Sequence, residues 1–326
     1  MIKQLRQGKM NIYIFKRKSL GWLAAVARTL LLFGLCFLIL QPLLSKISIS
    51  FMSNSELLDA TVINVPRNPT LSNYTLVASL MSYAKSLFNT VWLSVMVAAL
   101  QTMAATLVGY GFARFKFPLQ KPLFGLVLLT IVIPPQTLLT SLYLYFRYFD
   151  LFGLITLIKG SPLNMLNTIA PYLLMVSGCM GLKSGLYIYL LRQFFKGMPK
   201  ELEEAAYVDG SNAFLTFSFI MLPDALPMVT SCFLFAFVWQ WTDSFYASLF
   251  FRNVSLVSIS LGALAERFSH YWSSSGGMGM AGLPPLSLVQ VMLSTGTLMI
   301  IGPILFIYLF AQRGFVESVS KSGIKG

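Results

Sequence analysis

The sequence predicts an all-α, polytopic membrane protein with six transmembrane helices. Three observations carry that fold class. The 326 residues are 56% hydrophobic and only 11% charged, outside the composition of soluble domains. Apolar runs near or above the roughly 20 residues that cross a bilayer recur at 22–45, 87–113, 123–146, 169–195, 222–251 and 288–310. The 24 lysines and arginines are unevenly placed. With both termini inside, inner segments hold 15 of them and outer segments seven, as the positive-inside rule requires. The net charge of +13 then belongs to cytoplasmic loops of a multi-pass cell-membrane protein, not to a nucleic-acid-binding surface.

Residues 1–21 form a basic cytoplasmic head carrying Lys3, Arg6, Lys9, Lys16, Arg17 and Lys18. The run at 22–45 is too long for a signal-peptide core and lacks a small-residue cleavage site, so it reads as an uncleaved first span. Its Gln41-Pro42 pair falls near the outer end. Residues 46–85 form a polar extracytoplasmic loop with Pro66, Asn68 and Pro69, and a loop of that length usually has a task.

The second run ends in GYGFARFKFP at 109–118, where Arg114, Lys116 and Lys121 mark a short inner loop. The third contains Ile133, Pro134, Pro135 and Gln136. Two prolines break the helical ladder, and in lipid the freed carbonyls need partners from neighbouring helices or water. The break is either a hinge or pathway-lining bend that includes Gln136, or a structural kink. Tyr143 and Tyr145 read as interfacial belt residues. The fourth run is interrupted by SGCMGLKSG at 177–185. Gly181 and Gly185 permit close helix approach. Lys183 sits where a charge costs about 2.5–3.5 kcal/mol at mid-span, so it pairs with a carboxylate, lines a wet cavity or marks a break.

Between the fourth and fifth runs lies MPKELEEAAYVDGSNAFLTFSFIMLP, 198–223, an acidic hairpin set among apolar segments. Pro199 suits a first helical turn. Glu201, Glu203 and Glu204 favour the positive end of the helix dipole, and Gly210 takes the left-handed conformation that ends a helix. Leu202, Ala205, Ala206 and Asp209 fall at i, i+3, i+4 and i+7, a face that two alanines make thin enough to enter a groove. Ser211 is expected to cap a second short helix that ends at Pro223.

In the fifth run Trp239, Asp243 and Tyr246 fall at i, i+4 and i+7, flanked by Gln240 and Trp241. Two rings and a carboxylate on one face suit a sugar, whose C–H faces stack on aromatics and whose hydroxyls donate to carboxylates. The alternative is that the tryptophans anchor or pack and Asp243 pairs with Lys183. Residues 252–287 return outside with His270 and a glycine-rich run near Gly276, and the chain closes in a tail at 312–326. Cys36, Cys179 and Cys232 lie in apolar runs without metal-ligand or redox spacing, and one histidine excludes a two-histidine zinc site. No phosphate-binding G-x-x-x-x-G-K-[ST] occurs, so a nucleotide would be bound by another chain.

Glu204, Ala205, Ala206, Asp209, Gly210, Ile220, Leu222 and Pro223 resemble the E-A-A, glycine and I-x-L-P pattern of type-I ABC importer permeases. VPRNPTLSNYTL at 65–76, GYGFARFKFP, LLRQFF at 190–195 and QRGFVESVSKSGIKG at 312–326 resemble stretches of the same family, in its maltose-type oligosaccharide branch. Gly111 and Ser318 depart from that pattern, and the connection at 153–167 is longer than usual. The resemblance implies a permease core at 86–311, with coupling helices at 199–222 docked on an ATPase. Expected partners are a second permease, two cytoplasmic ATPase subunits that bind ATP and Mg, an extracytoplasmic solute-binding protein, a sugar and the bilayer. The chain itself would hold no cofactor or metal and perform no catalysis. An ion-coupled secondary transporter and a membrane enzyme are the rival classes. No clear internal repeat and few intramembrane acids support the first, and only Asp243 and Lys183 could serve the second.

Overall fold

The computed structural model describes the backbone of residues 2–53, 55–59, 65–274 and 282–323, with side chains from 21 to 310 within those bounds except at Leu58. The side chains of the basic head and of the tail, and Gly276, lie outside the described set. The described elements are helical, with one isolated antiparallel bridge between Phe149 and Leu163. They are α1 (Ile2–Ser50), α2 (Ser72–Leu80), α3 (Tyr83–Arg114), α4 (Gln120–Val132), α5 (Leu139–Arg147), α6 (Leu154–Lys159), α7 (Ala170–Ser177) and α8 (Ser184–Gly197). There follow α9 (Glu201–Val208), α10 (Ala213–Thr216), α11 (Leu222–Thr242), α12 (Phe245–Phe250), α13 (Val257–Gly262), α14 (Leu264–Ser274) and α15 (Leu286–Gly323).

Among the described residues, four stretches are long and apolar enough to cross a membrane: Gly21–Ser50, Tyr83–Arg114, Ala213–Thr242 and Leu286–Phe310. The third expected span is bent by 100° between Gln120–Val132 and Pro135–Arg147, which makes up to five spans if the pair counts as one. Pro134 and Pro135 supply the cause, since neither donates an amide hydrogen to the ladder. The fourth expected span is two helices, α7 and α8, of 8 and 14 residues. Between them Cys179 and Lys183 adopt left-handed φ values of 57° and 62°. The two breaks thus fall where the sequence placed them, at the paired prolines of the third run and in the glycine-rich interruption of the fourth.

The chain divides into two units. One comprises Met1–Tyr74 with Pro284–Leu298. Here α1 runs through Pro42 without a break, and apolar side chains such as Leu30, Phe33 and Leu38 stay exposed, as a helix face in lipid would be. The family-like Asn68 to Tyr74 stretch is tied to the end of α1. Asn73 donates to the carbonyls of Ser50 and Met52 at 2.9 Å each, and the Ser50 and Tyr74 hydroxyls lie 2.9 Å apart. The backbone amide of Asn68 donates to the Glu56 carboxylate.

The other unit comprises Thr75–Leu283 with Met299–Gly326, and α3 is its axis, packed along α8 and α11. At Gly109 the helices touch backbone to backbone. A Cβ there would sit 3.0 Å from Leu191 Cβ and 3.1 Å from the Arg192 nitrogen. Gly111, which sequence reasoning singled out, faces open space instead. Gly185 packs on α4, where a Cβ would lie 2.3 Å from Thr130 Oγ1, so the expected close approach is present there. Leu93, Val97, Phe146, Tyr172, Phe250 and Leu256 belong to a buried apolar cluster.

The expected fifth span is displaced at both ends. Helix is continuous from Ala213, through a π-helical turn at Phe217–Met221, to Thr242. Pro223 therefore does not end the hairpin helix; it follows directly on the π-helical turn, where the regular ladder that would need its amide is already interrupted. Ser211 is not the cap: Asn212 Oδ1 accepts the Leu215 amide at 2.9 Å. At 153–167 the lengthened connection folds into α6, held by the Phe149–Leu163 bridge.

Candidate functional site

The acidic stretch forms α9, eight residues long, with Glu201, Glu203 and Glu204 in its first turn. It starts after Pro199, with Lys200 at the N-cap. Its end follows from Gly210. At φ +83° the chain reverses, and the Ser211 amide donates to the Ala206 carbonyl at 2.9 Å. Glu204, Ala205, Asp209 and Gly210 are exposed, as are Leu202, Tyr207 and Val208. Ala206 is not part of that surface. It is buried on the inward side, three residues from Glu203, so the exposed face carries one alanine rather than two. Ile220 and Leu222 are half-buried and Pro223 is exposed.

Glu203 is the residue that sequence reasoning left without a role. It is 9% exposed, and Oε1 accepts the Tyr110 hydroxyl at 2.9 Å. Oε2 lies 3.5 Å from Arg114 Nε, and Arg114 Nη2 donates to the Met198 carbonyl at 2.9 Å. Tyr110 and Arg114 are four apart on α3, so one helical face presents both to α9. The rings of Phe195 and Phe217 stand 5.3 and 4.8 Å from that of Tyr110. That i, i+4 spacing and the solitary arginine at a span's end were the available signals.

The second set of candidates surrounds the two breaks. The helix stops at Thr242, so Trp239, Asp243 and Tyr246 do not share one helical face. Asp243 sits at the junction of α11 and α12 and is 6% exposed. Its Oδ2 accepts the Tyr172 hydroxyl at 2.6 Å, and Oδ1 accepts the amides of Phe245 and Tyr246 at 2.9 and 3.0 Å. A short acid that can cap the next helix stops the previous one there. Its partner is Tyr172, not Lys183. Tyr246 is buried against Phe250. Gln240 and Trp241 are also buried, and the indole of Trp241 donates to the Ile300 carbonyl at 3.3 Å.

Lys183 is instead paired with Trp239: its Nζ lies 5.0 Å from the centre of that ring, which is 45% exposed. Of the three expectations for Lys183, the break is met. With Thr130, Pro135, Met180 and Tyr246 it also lines a cavity of about 150 Å³. Gln136 is exposed one residue beyond Pro135. Gln101 of α3 closes the back of the break, donating to the Leu182 carbonyl at 2.6 Å and to Ser184 Oγ at 2.9 Å. Such a donor is what irregular backbone in an apolar setting requires. Among the described residues no three His, Cys, Asp or Glu side chains converge as a metal site.

The profile of a family described as "Binding-protein-dependent transport system inner membrane component" matches residues 101–320. The chain is similar to the arabinooligosaccharides transport system permease protein AraQ of Halalkalibacterium halodurans, 26% identical over 317 residues, covering 95% of this chain and 100% of that protein. It is 26% identical over 305 residues to the polygalacturonan/rhamnogalacturonan transport system permease protein YtcP of Bacillus subtilis, covering 91% and 96%. The maltodextrin transport system permease protein MalD of Streptococcus pneumoniae is 24% identical over 298 residues, covering 91% and 94%. Among solved structures, a bacterial ABC transporter involved in the import of the acidic polysaccharide alginate shares the fold. That likeness has a TM-score of 0.62 at 17% identity, over 89% of this chain and 95% of that one.

Proposed function

The chain belongs to the family of binding-protein-dependent transport system inner membrane components, and from that membership we propose that it is the permease subunit of an ATP-driven importer for a sugar, of oligosaccharide class. The observation that carries the reading is the family match over 101–320, which spans α9 and both broken segments. The names of the sugar-transporting relatives support the substrate class. They also favour ATP-driven import over an ion-coupled secondary transporter. The subunit is non-catalytic, and membership implies a binding protein and an ATPase as partners.

The finer reading is as follows. The chain pairs with a second permease, and two ATPase subunits bind ATP and Mg on the cytoplasmic side, where both termini of this chain also lie. Residues 86–311 form the core, and 46–85 lie outside. The exposed face of α9, with Glu204, Ala205, Asp209 and the chain reversal at Gly210, seats in the ATPase. Ala206 and the Ile220 to Pro223 segment hold α9 to the body of the chain. The sugar passes the Lys183–Trp239 pair at the break. There the exposed indole offers a stacking face and the ammonium three donors. Asp243, Gln240, Trp241 and Tyr246 shape that wall from within rather than touching the sugar.

Reconstitution of the full complex in liposomes tests this. ATPase activity should rise with sugar-loaded binding protein and uptake should need ATP. Uptake driven by a sodium or proton gradient without ATP would overturn the reading. Cysteine substituted at Val208, an exposed residue of α9, should cross-link to the ATPase.

A further inference from the structure

The helix α3 is gripped by buried polar contacts at two levels, and each grip lands on a feature the transport reading uses. At the Arg114 end, Arg114 and Tyr110 hold the Glu203 carboxylate of α9, while Arg114 also holds the Met198 carbonyl just before it. About 20 Å along the same helix, at 1.5 Å per residue, Gln101 holds the Leu182 carbonyl and the Ser184 hydroxyl, on either side of Lys183. The helix α8 runs from Ser184 to Gly197 alongside, with Gly109 pressed on Leu191 and Arg192 between the two grips. So α3 and α8 form a ladder closed at both ends and seamed in the middle.

We propose that α3 and α8 move as one lever, in which Glu203 and Arg114 join it to α9 and Gln101 joins it to the break that carries Lys183. The proposal rests on the reading of α9 as the segment that seats in the ATPase. Of the eight residues of α9, Glu203 and Ala206 alone are buried. The segment is joined to the chain by turns rather than continuous helix, through Met198 and Pro199 on one side and Gly210 on the other. Without the ion pair a push on α9 is absorbed in those turns. With it, the push reaches α3. At the far level the Leu182 carbonyl belongs to irregular backbone, so its bond to Gln101 decides whether the Lys183 segment follows α3 or lags. Glu203, Arg114 and Gln101 are positioning residues here: none of them needs to touch sugar or nucleotide.

The experiment uses the complete complex in nanodiscs, with the three native cysteines replaced by alanine. Val208→Cys reports docking, by cross-linking to the ATPase. Met180→Cys, exposed beside Lys183, reports the break, by its rate of labelling with a water-soluble maleimide with and without a non-hydrolysable ATP analogue. In the otherwise native complex, nucleotide should change the Met180→Cys rate. Glu203→Gln and, separately, Gln101→Met should leave the Val208→Cys cross-link intact and abolish that change. Sugar imported per ATP hydrolysed should fall about tenfold, within the range of ordinary coupling free energies. The exchanged pair Glu203→Arg with Arg114→Glu should restore part of the response, which a packing defect alone would not allow. If the cross-link forms and both single variants keep the Met180→Cys response and the transport ratio, the lever is wrong although α9 docks. If no cross-link forms in the otherwise native complex, the docking reading fails and the lever has no driver. Should Glu203→Gln fail to assemble, Gln101→Met decides the matter from the other level.

Discussion

Glu203 and Asp243 are both carboxylates sunk among aromatic rings, at 9% and 6% exposure, yet their surroundings solve the burial differently. Glu203 is met by a guanidinium, and both partners are largely withdrawn from water. Asp243 is met by a phenol and two backbone amides. The first arrangement joins two separate elements, α3 and α9, through charge. The second closes the α11–α12 junction and ties it to Tyr172 of α7 through hydrogen bonds alone, where an uncharged acceptor of the same shape could serve. A buried acid is therefore not one kind of feature. What it does depends on whether its partner is ionic.

The comparison is broken or sharpened most strongly at Arg114. Arg114→Ala leaves Glu203 buried without its counter-charge, which should cost about 3–5 kcal/mol, seen as a lower thermal midpoint and yield of the purified complex. Asp243→Ala should cost less, about 1–3 kcal/mol per stranded partner, through the Tyr172 hydroxyl and the amides of Phe245 and Tyr246. Asp243→Asn keeps an acceptor for those amides and should lie nearer the native midpoint than Glu203→Gln does. The reverse order would erase the distinction drawn above. Gly210→Ala imposes a Cβ on a left-handed residue in open space, and should cost about 1–2 kcal/mol while leaving the Arg114–Glu203 pair in place.

The smallest effect is expected at a third carboxylate, half-buried near the surface. Asp150 accepts the Thr156 hydroxyl and the amides of Thr156 and Ile155. The Thr156 hydroxyl, then these amides, hold it below the usual carboxylate range. A depressed value means the bonds favour the folded α6 above the unfolded carboxylate range. Their contribution is lost as pH falls from about 4 through the folded value. Amide protection at Ile155 and Thr156, measured against the intrinsic exchange rate at each pH, should fall over that acid window and hold steady between pH 6 and 8. Asp150→Asn should flatten the dependence.

Several features were open to reading residue by residue. Pro134 and Pro135 announced the bend, and Lys183 among glycines announced the break, because a missing amide and a misplaced charge are local facts. Gly210 ended α9 as its lack of a Cβ allows. Asn68 and Asn73 stood in a family-like stretch, although their ties to Glu56 and the end of α1 needed coordinates. The errors share a cause. Placing Ala206 outward, ending a helix at Pro223, and putting Asp243 on the face of Trp239 all extended or stopped a regular period. Each time a particular contact altered it. Ala206 turns in with Glu203, a π-helical turn carries the chain past Pro223, and the Asp243 side chain starts a new helix.

Composition, run length and charge asymmetry by themselves determined a helical membrane protein. The spacing from Glu204 to Pro223 by itself pointed to the family that the match over 101–320 then established. Those properties are sums over the chain or fixed local intervals, and need no knowledge of what lies opposite. Only the tertiary structure decided that Glu203 rather than Glu204 is the buried acid of α9, that Asp243 answers to Tyr172, and that Lys183 lies over Trp239. Each is a pairing across 56 to 93 residues of sequence, and the partner of a buried polar group is chosen by which helices pack together, not by the residues beside it.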